Sequence, residues 1–425
     1  MTYEQALEYI HGIYWKSKKS GMDRINELLD LLGHPEKDLK VIHVAGTNGK
    51  GSTCAMTEAV LREAGYKTAL CISPYISRFN ERMQINGVPI PDDTLCEVTE
   101  YVKSFADKME NQPTEFELVC AITMEYFKRE KPDYAVIEVG MGGRIDATNV
   151  FKAPLVTAIT AIGLDHTQYL GDTVEKIAIE KCGIVKQGRP VVCYGTPESI
   201  RPGVDEYCAA LNAPVTYNDF SDLSVIENNF RGQLFSYHGK EYFVSLLGEH
   251  QCENAVTVLN IIDALRSQGV DIPDEAVARG FANVKWPGRF EYFSTIPVSV
   301  VDGAHNPHGI HSAVTAAHDY FKDMPVTLVM GVLADKDYNG MLEELDTIVS
   351  RYVITSPPSP RALAAEELAK LLERFGKPIE IIADPADAAL HALEITPDDG
   401  AVLCLGSLYM VGDIRDALGD ASQGN

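Results

Sequence analysis

Residues 41–53, VIHVAGTNGKGST, join a β-branched apolar run to three glycines, a lysine and two hydroxyls. The usual phosphate loop reads G-x-x-x-x-G-K-[ST]. Here Gly46 stands three positions before Gly49, and Gly51 rather than a hydroxyl residue follows Lys50. The parts of an anion cradle survive the altered spacing. A strand enters, and the backbone N–H groups of Gly46, Thr47, Asn48, Gly49 and Gly51 can converge. Lys50 supplies a cation, and Ser52 or Thr53 offers a hydroxyl to Mg²⁺ at a helix N-terminus. A tight βα turn accounts for the glycines alone. It does not account for the lysine and the paired hydroxyls, so the stretch is read as a nucleotide loop.

Three further stretches carry polar groups at predicted strand ends. In CISPYISRFNERMQING (71–86), Ser73 can face a metal, Pro74 stiffens the loop and Arg82 is a candidate anion clamp. Taken alone, a surface turn leading into a hairpin is the better account of that stretch. In IEVGMGGRIDATN (137–149), a strand ends at Glu138, and a glycine-rich loop bears Arg144, Asp146 and Asn149. A carboxylate at a strand end beside a phosphate loop is where a Mg²⁺ ligand belongs. In residues 162–186, Asp165 and His166 follow another strand, and Lys181 lies in a helix starting near Asp172. A lone histidine is more often structural, and a helix lysine is usually just solvated. Three successive strand ends with such groups change the weighing, because the rim of one sheet collects them. In the second half, GEHQCENA (248–255), WPGRFE (286–291), DGAHNPHG (302–309), LADKDY (333–338) and PSPRAL (358–363) set polar residues around tight turns.

The elements that must position these groups follow from periodicity. Residues 3–33 are predicted helical, with Leu28, Leu29, Leu31 and Leu32 on the buried side and Gly33 as the stop. Apolar strands then alternate with helices, which indicates a parallel sheet with crossover helices. The alternating stretch VIENNFRGQLFSYHGKEYFVSLLG predicts antiparallel hairpins, and a helix follows over 251–268. After a boundary near 290–296 the α/β rhythm restarts through five strands. The expected fold is α/β: a P-loop-type, mostly parallel sheet domain with a small antiparallel subsheet over 1–292, and a smaller Rossmann-like α/β domain over 293–425. A cleft between the two is expected.

Composition narrows the partners. A formal net charge of −24 argues against nucleic acid, whose phosphates reward the opposite sign. The nine cysteines form no C-x-x-C pair, which fits reduced thiols better than zinc or disulfides. The N-terminus has no basic segment before an apolar run, and no apolar stretch approaches membrane-spanning length. A cytoplasmic protein with neither a membrane nor a nucleic-acid partner is expected, with a monomer as the default.

Together these stretches resemble the folylpolyglutamate synthase and dihydrofolate synthase family of the Mur ligase superfamily. HVAGTNGKGST, RFNERMQING, TEFE, IEVGMGGRIDATN, LDHTQYLGDT, EKCGIVK, WPGR, DGAHNPHG, ADKDY and GSLYMVGDIR occur in the family's order. Gly51 after the lysine is itself a trait of that branch. The resemblance implies an ATP-dependent amide ligase that phosphorylates the terminal carboxylate of a folate and then couples L-glutamate to it. Lys50 would hold the β- and γ-phosphates. Ser52, Ser73, Glu138 and His166 would surround two Mg²⁺ sites, and Lys181 is a candidate for carbamylation to an acidic metal ligand. Asn254 and Arg289 match ATP-binding positions, and Asp302 and His305 match positions serving the ribose and the incoming glutamate. Ser407 is a weaker glutamate-site candidate. Pro74 and Tyr75 lie in the loop that holds the pterin-bearing substrate, and Arg82 is placed on the folate or acyl phosphate. A monovalent cation such as K⁺ completes the implied set. Two positions depart from the commonest pattern: Tyr75 stands where many relatives carry His, and Cys182 where Ala is usual. Other readings are a Mur-type ligase acting on a cell-wall precursor, against which the missing UDP-binding domain counts, and a nucleotide switch or phosphotransferase. The latter has no need of the DGAHNPH segment.

Overall fold

The protein, seen in a computed structural model, is described over residues 1–12, 21–334 and 338–423. The helix expected over 3–33 is two helices, Tyr3–Gly12 and Asp23–Leu31, and residues 13–20 of that expectation lie outside the described residues. So do residues 335–337 of LADKDY. The chain divides into two compact units, one of Met1–Phe220 with Asn254–Asn283, the other of Ser221–Glu253 with Val284–Asn425.

In the first unit, β1 (Val41–Ala45), β2 (Thr68–Cys71), β3 (Met83–Ile85), β4 (Val88–Pro89), β5 (Tyr134–Glu138), β6 (Val156–Ile159), β7 (Val191–Cys193) and β8 (Val215–Tyr217) form one sheet. Its order is β4-β3-β2-β5-β1-β6-β7-β8. From β2 to β8 every pairing is parallel, whereas β3 and β4 add antiparallel at the edge. Every residue of β1, β2, β5 and β6 is buried. Helices cover both faces of such a sheet, so its strands read as continuous apolar runs rather than alternations. On one face Ala69, Cys71, Ala135 and Ile137 pack with Ile10, Leu28, Leu118 and Phe127, and further across that same face Ala45, Ile159 and Cys193 pack with Ile177, Ile184, Ile200 and Val204; the Lys50–Glu63 helix lies against β1, β2 and β5. The strands β2, β5, β1 and β6 are neighbours and point the same way. Their carboxyl ends therefore deliver four consecutive loops to one rim, the place where open α/β sheets bind ligands. The three-residue strands β7 and β8 carry too short a pattern to be anticipated from periodicity.

The second unit holds two sheets. β9 (Ser224–Asn229), β10 (Gly232–Tyr237) and β11 (Lys240–Val244) form the expected antiparallel hairpins. β12 (Glu291–Phe293), β13 (Val298–Val301), β14 (Val326–Met330), β15 (Val349–Ile354), β16 (Ile379–Ile381) and β17 (Ala401–Leu405) form a six-stranded sheet in the order β12-β13-β17-β14-β15-β16. All its pairings are parallel except that of β12, an edge strand lying inside the segment read as a boundary. The division at 292/293 read from the sequence differs from these compact units, because the hairpins group with the C-terminal sheet. A three-stranded sheet cannot bury its apolar face alone. Phe230 stacks on Tyr292 with ring centroids 4.5 Å apart and leans on Tyr320 at 5.4 Å. The Ser245 hydroxyl donates to the Val284 carbonyl at 2.6 Å.

Candidate active site

The loop after β1 is tied down by its neighbour on the rim. Thr47 N and Asn48 N both donate to the Ala161 carbonyl, at 2.9 and 3.2 Å. Thr160 Oγ1 donates to the Asn48 carbonyl at 2.7 Å. A Cβ on Gly46 would run into the Thr160 side chain, so only glycine lets the two loops close up. Gly49 takes φ +80° as the residue before the Lys50–Glu63 helix, and a Cβ there would collide with Asn254 Oδ1. The site expected for ATP thus has the Asn254 amide against its turn. Lys50 Nζ donates to the Thr47 carbonyl at 3.1 Å, folded over its own loop. Ser52 and Thr53 are buried in the first turn of the helix, and among the described residues Thr53 Oγ1 has no hydrogen-bond partner.

Three other predicted residues meet this loop or its neighbours. Lys181 is buried at the end of the Val174–Lys181 helix, and its Nζ donates to the Gly46 carbonyl at 2.6 Å. Burial first, and the Lys50 ammonium second, push its amine down to about 7, against a partial offset from Asp165 and Asp146. Glu138, buried at the end of β5, accepts from Ser73 N at 2.9 Å and so joins the second and third rim loops. The glycine-rich loop rests on the lysine helix. A Cβ on Gly143 would stand 2.7 Å from the Lys181 carbonyl oxygen and 2.8 Å from that of Glu180, and Arg144 N donates to the latter. His166 sits with φ 49° before a short helix, its side chain 43% exposed, and Asp165 Oδ1 accepts its backbone N–H at 2.8 Å.

The residues expected as metal ligands, Ser52, Ser73, Glu138, His166 and Lys181, offer two hydroxyls, one carboxylate, one imidazole and a low-pKa amine. Among the described residues no three His, Cys, Asp or Glu side chains form a metal cluster. Hard oxygen donors too few to make an all-protein cage suit Mg²⁺, which keeps waters and takes phosphate oxygens as ligands. The rim therefore fits that ion.

The second unit assembles the rest of the predicted set. Asp302 follows β13 and is buried. Its Oδ2 accepts from Phe290 N at 2.7 Å and its Oδ1 from Ala304 N at 2.6 Å. Burial raises its pKa, opposed by the Arg289 charge and those two N–H groups. Arg289 Nη1 donates to the Gly288 carbonyl at 3.0 Å, and a Cβ on Gly303 would strike that nitrogen. His305 Nδ1 lies 2.8 Å from the Gly303 carbonyl oxygen. A carbonyl can only accept, so Nδ1 carries a proton. Gly406 N donates to the Ala304 carbonyl at 3.0 Å, which brings the buried Ser407 beside the same turn. In the first unit, Tyr75 and Arg82 meet in a stack: the guanidinium lies 5.2 Å from the Tyr75 ring centroid and 5.5 Å from that of Phe79. Pro74 lies between Ser73 and Tyr75 in that loop.

Sequence reasoning missed the anchors. Thr160 clamps the loop after β1, and Glu291 binds Arg415 at 2.8 Å while accepting from Gly288 N at 2.7 Å. Asp146, read only as a polar loop residue, accepts from Thr148 Oγ1 and Met141 N, and Thr148 meets the buried His43 at 2.9 Å. The available signal was a polar residue inside or just after an apolar strand.

Residues 44–262 match the Mur ligase middle domain, and residues 288–408 match the Mur ligase glutamate ligase domain. The dihydrofolate synthase/folylpolyglutamate synthase of Bacillus subtilis strain 168 is 37% identical over 432 residues, covering 98% of this chain and 99% of that one. The Mycobacterium tuberculosis folylpolyglutamate synthase complexed with ADP and AMPPCP superposes with a TM-score of 0.89 at 31% identity, covering 98% of this chain and 99% of that chain. Escherichia coli FolC in complex with DHPP and ADP gives 0.87 at 29% identity, covering 99% of this chain and 98% of that chain.

Proposed function

The chain belongs to the Mur ligase family, on the branch of the folylpolyglutamate and dihydrofolate synthases, and we propose that it couples L-glutamate to the terminal carboxylate of a folate at the expense of ATP. The observation that carries this reading is the phosphate loop with a buried, weakly basic amine hydrogen-bonded to its first glycine. A carboxylate is a poor electrophile at neutral pH. Its oxygen attacks the γ-phosphorus of ATP and ADP leaves, giving an acyl phosphate. The glutamate amine then attacks the acyl carbon, the C–O bond breaks, and inorganic phosphate departs as a proton is lost. The protein's part is alignment and charge neutralisation.

Gly46, Thr47, Asn48, Gly49 and Gly51 cradle the phosphates through their N–H groups, and Lys50 supplies the cation beside them. Asn254 and Arg289 bind ATP, with Asp302 on the ribose. Ser52, with Thr53 behind it, Ser73, Glu138 and His166 would hold Mg²⁺ at two sites, where it would supply charge neutralisation. Lys181 joins them as a carbamate: its lone pair attacks CO₂, a proton leaves, and one N–H remains to donate to the Gly46 carbonyl. His305, held by its Nδ1 contact to the Gly303 carbonyl, receives the incoming glutamate, and Ser407 assists. Pro74, Tyr75 and Arg82 serve the folate.

A monovalent cation such as K⁺, a monomeric state and a cytoplasmic setting complete the proposal. The nine buried free thiols suit a reducing compartment, and among the described residues no helix is long and apolar enough to cross a membrane. Two functional halves, 1–292 for ATP and 293–425 for glutamate, remain the proposed division of labour. The test is purified protein with ATP, Mg²⁺ and labelled glutamate, offered tetrahydrofolate and dihydropteroate separately. Incorporation with tetrahydrofolate alone defines a chain-extending enzyme, and incorporation with both adds dihydrofolate synthesis. Phosphate release that is equal without glutamate overturns the ligase reading.

A further inference from the structure

We propose that Tyr75 is a positioning residue for the acid substrate: with Phe79 it forms an aromatic shelf that holds the Arg82 guanidinium, unneutralised, for a carboxylate of the folate. The inference rests on the function proposed above. Its first support is that the carboxylates of Arg82's own and the neighbouring rim loops are already engaged. Glu81, next in sequence, accepts from the backbone N–H groups of Ile76, Ser77 and Arg78 at 2.8, 3.1 and 2.9 Å. Asp92 pairs with Arg78 and accepts from Asn80. Glu138 is bonded to Ser73 N, and Asp146 accepts from Met141 N and Thr148. Among the described residues Arg82 has no ion pair, and its Nε is buried without a hydrogen-bond acceptor.

Leaving a partly buried cation unpaired is costly, and proteins keep such groups where a ligand completes them. In a chain of net charge −24, an uncompensated guanidinium on the rim that carries Ser73 is a specific feature rather than a consequence of composition. The two rings meet it within cation–π range and edge on to each other, with centroids 5.9 Å apart. The groups facing it from β2 and the Glu115–Glu130 helix include the buried thiols of Cys71 and Cys120. Glu81 pins the loop backbone, and the shelf fixes the side chain. An arginine held this way presents its planar fork for a bidentate carboxylate contact.

The test measures KM and kcat for the folate and for ATP in wild type, Tyr75→Leu, Tyr75→Phe, Tyr75→His and Arg82→Gln, together with folate binding by tryptophan fluorescence. Tyr75→Leu is expected to raise KM and Kd for the folate roughly three- to thirty-fold, the factor that a cation–π contact supplies. KM for ATP and the melting temperature move little, and Tyr75→Phe recovers most of the affinity because it keeps the ring. Tyr75→His adds an acid limb, with KM for the folate climbing below about pH 6.5 as an imidazolium comes to face the guanidinium. Arg82→Gln gives at least the loss of Tyr75→Leu, and the double variant adds little to it. Unchanged folate affinity in Tyr75→Leu with an active wild type overturns the proposal alone, as does a loss confined to ATP. A wild type that neither binds nor extends a folate overturns the functional reading and this inference with it.

Discussion

Protonation and carbamylation compete for one lone pair on Lys181, so its pKa decides whether the amine can react with CO₂. At about 7, Lys181 is roughly 90% neutral at pH 8, whereas a lysine at its usual 10.5 is only about 0.3% neutral, a difference of roughly 300-fold. The direction follows from burial, which disfavours the ammonium, and from the nearby Lys50 charge. At fixed dissolved CO₂, the carbamate on Lys181 should therefore rise steeply from pH 6 to pH 8, because raising the pH both frees the amine and takes up the proton that carbamylation releases. ¹³C-bicarbonate labelling followed by NMR reads this directly. A carbamate resonance is expected in wild type and in Lys176→Arg, whose lysine is exposed and paired with Asp172, and not in Lys181→Arg. Glutamate incorporation should fall in CO₂-depleted buffer, recover on adding bicarbonate, and be lost at least a hundredfold in Lys181→Arg. A stability effect accompanies this. Because the folded-state pKa lies below the unfolded one, the burial penalty is complete below pH 7 and fades as pH rises towards 10.5. Unfolding free energy in CO₂-free buffer should therefore increase across that window more in wild type than in Lys181→Met. The reasoning fails if no labelled carbamate forms at pH 8, or if Lys181 titrates above about 9.

Three further outcomes follow from the same geometry. Lys50→Ala should abolish glutamate incorporation while circular dichroism and the melting temperature stay near wild type, because its only described side-chain bond is to the Thr47 carbonyl of its own loop. Gly143→Ala drives a methyl group against the carbonyl oxygens of Glu180 and Lys181, so the loop and helix must separate; calorimetry should show a loss of about 1–3 kcal/mol, with a weakened carbamate signal. Asp302→Asn turns an N–H₂ toward one of two buried backbone donors and removes the charge beside Arg289. It should cost about 1–3 kcal/mol in denaturant unfolding and raise KM for ATP.

Local pattern was enough to find the reactive groups and the strands that carry them. VIHVA and YAVIE are apolar at every position but one because both faces of their sheet are covered, and each ends where a polar loop begins. Gly46, Lys50, Glu138, Lys181, Asp302 and His305 were all legible by residue type at strand or helix ends. What local pattern does not contain is pairing between distant segments. No spacing announces that Lys181 donates to Gly46 across 135 positions, or that this contact comes with the burial that weakens its basicity. The same holds for the hairpins of 224–244. Their alternation was plain, but their grouping depends on Phe230 finding Tyr292 and Tyr320. Arg82 illustrates the limit most clearly. Its charge is written in the sequence, but that it forms no ion pair among the described residues, while Glu81, Asp92, Glu138 and Asp146 are engaged by other groups, is a result of folding. Chemistry and periodicity are properties of the chain, whereas desolvation and neutralisation are sums over neighbours in space, which only the tertiary structure decides.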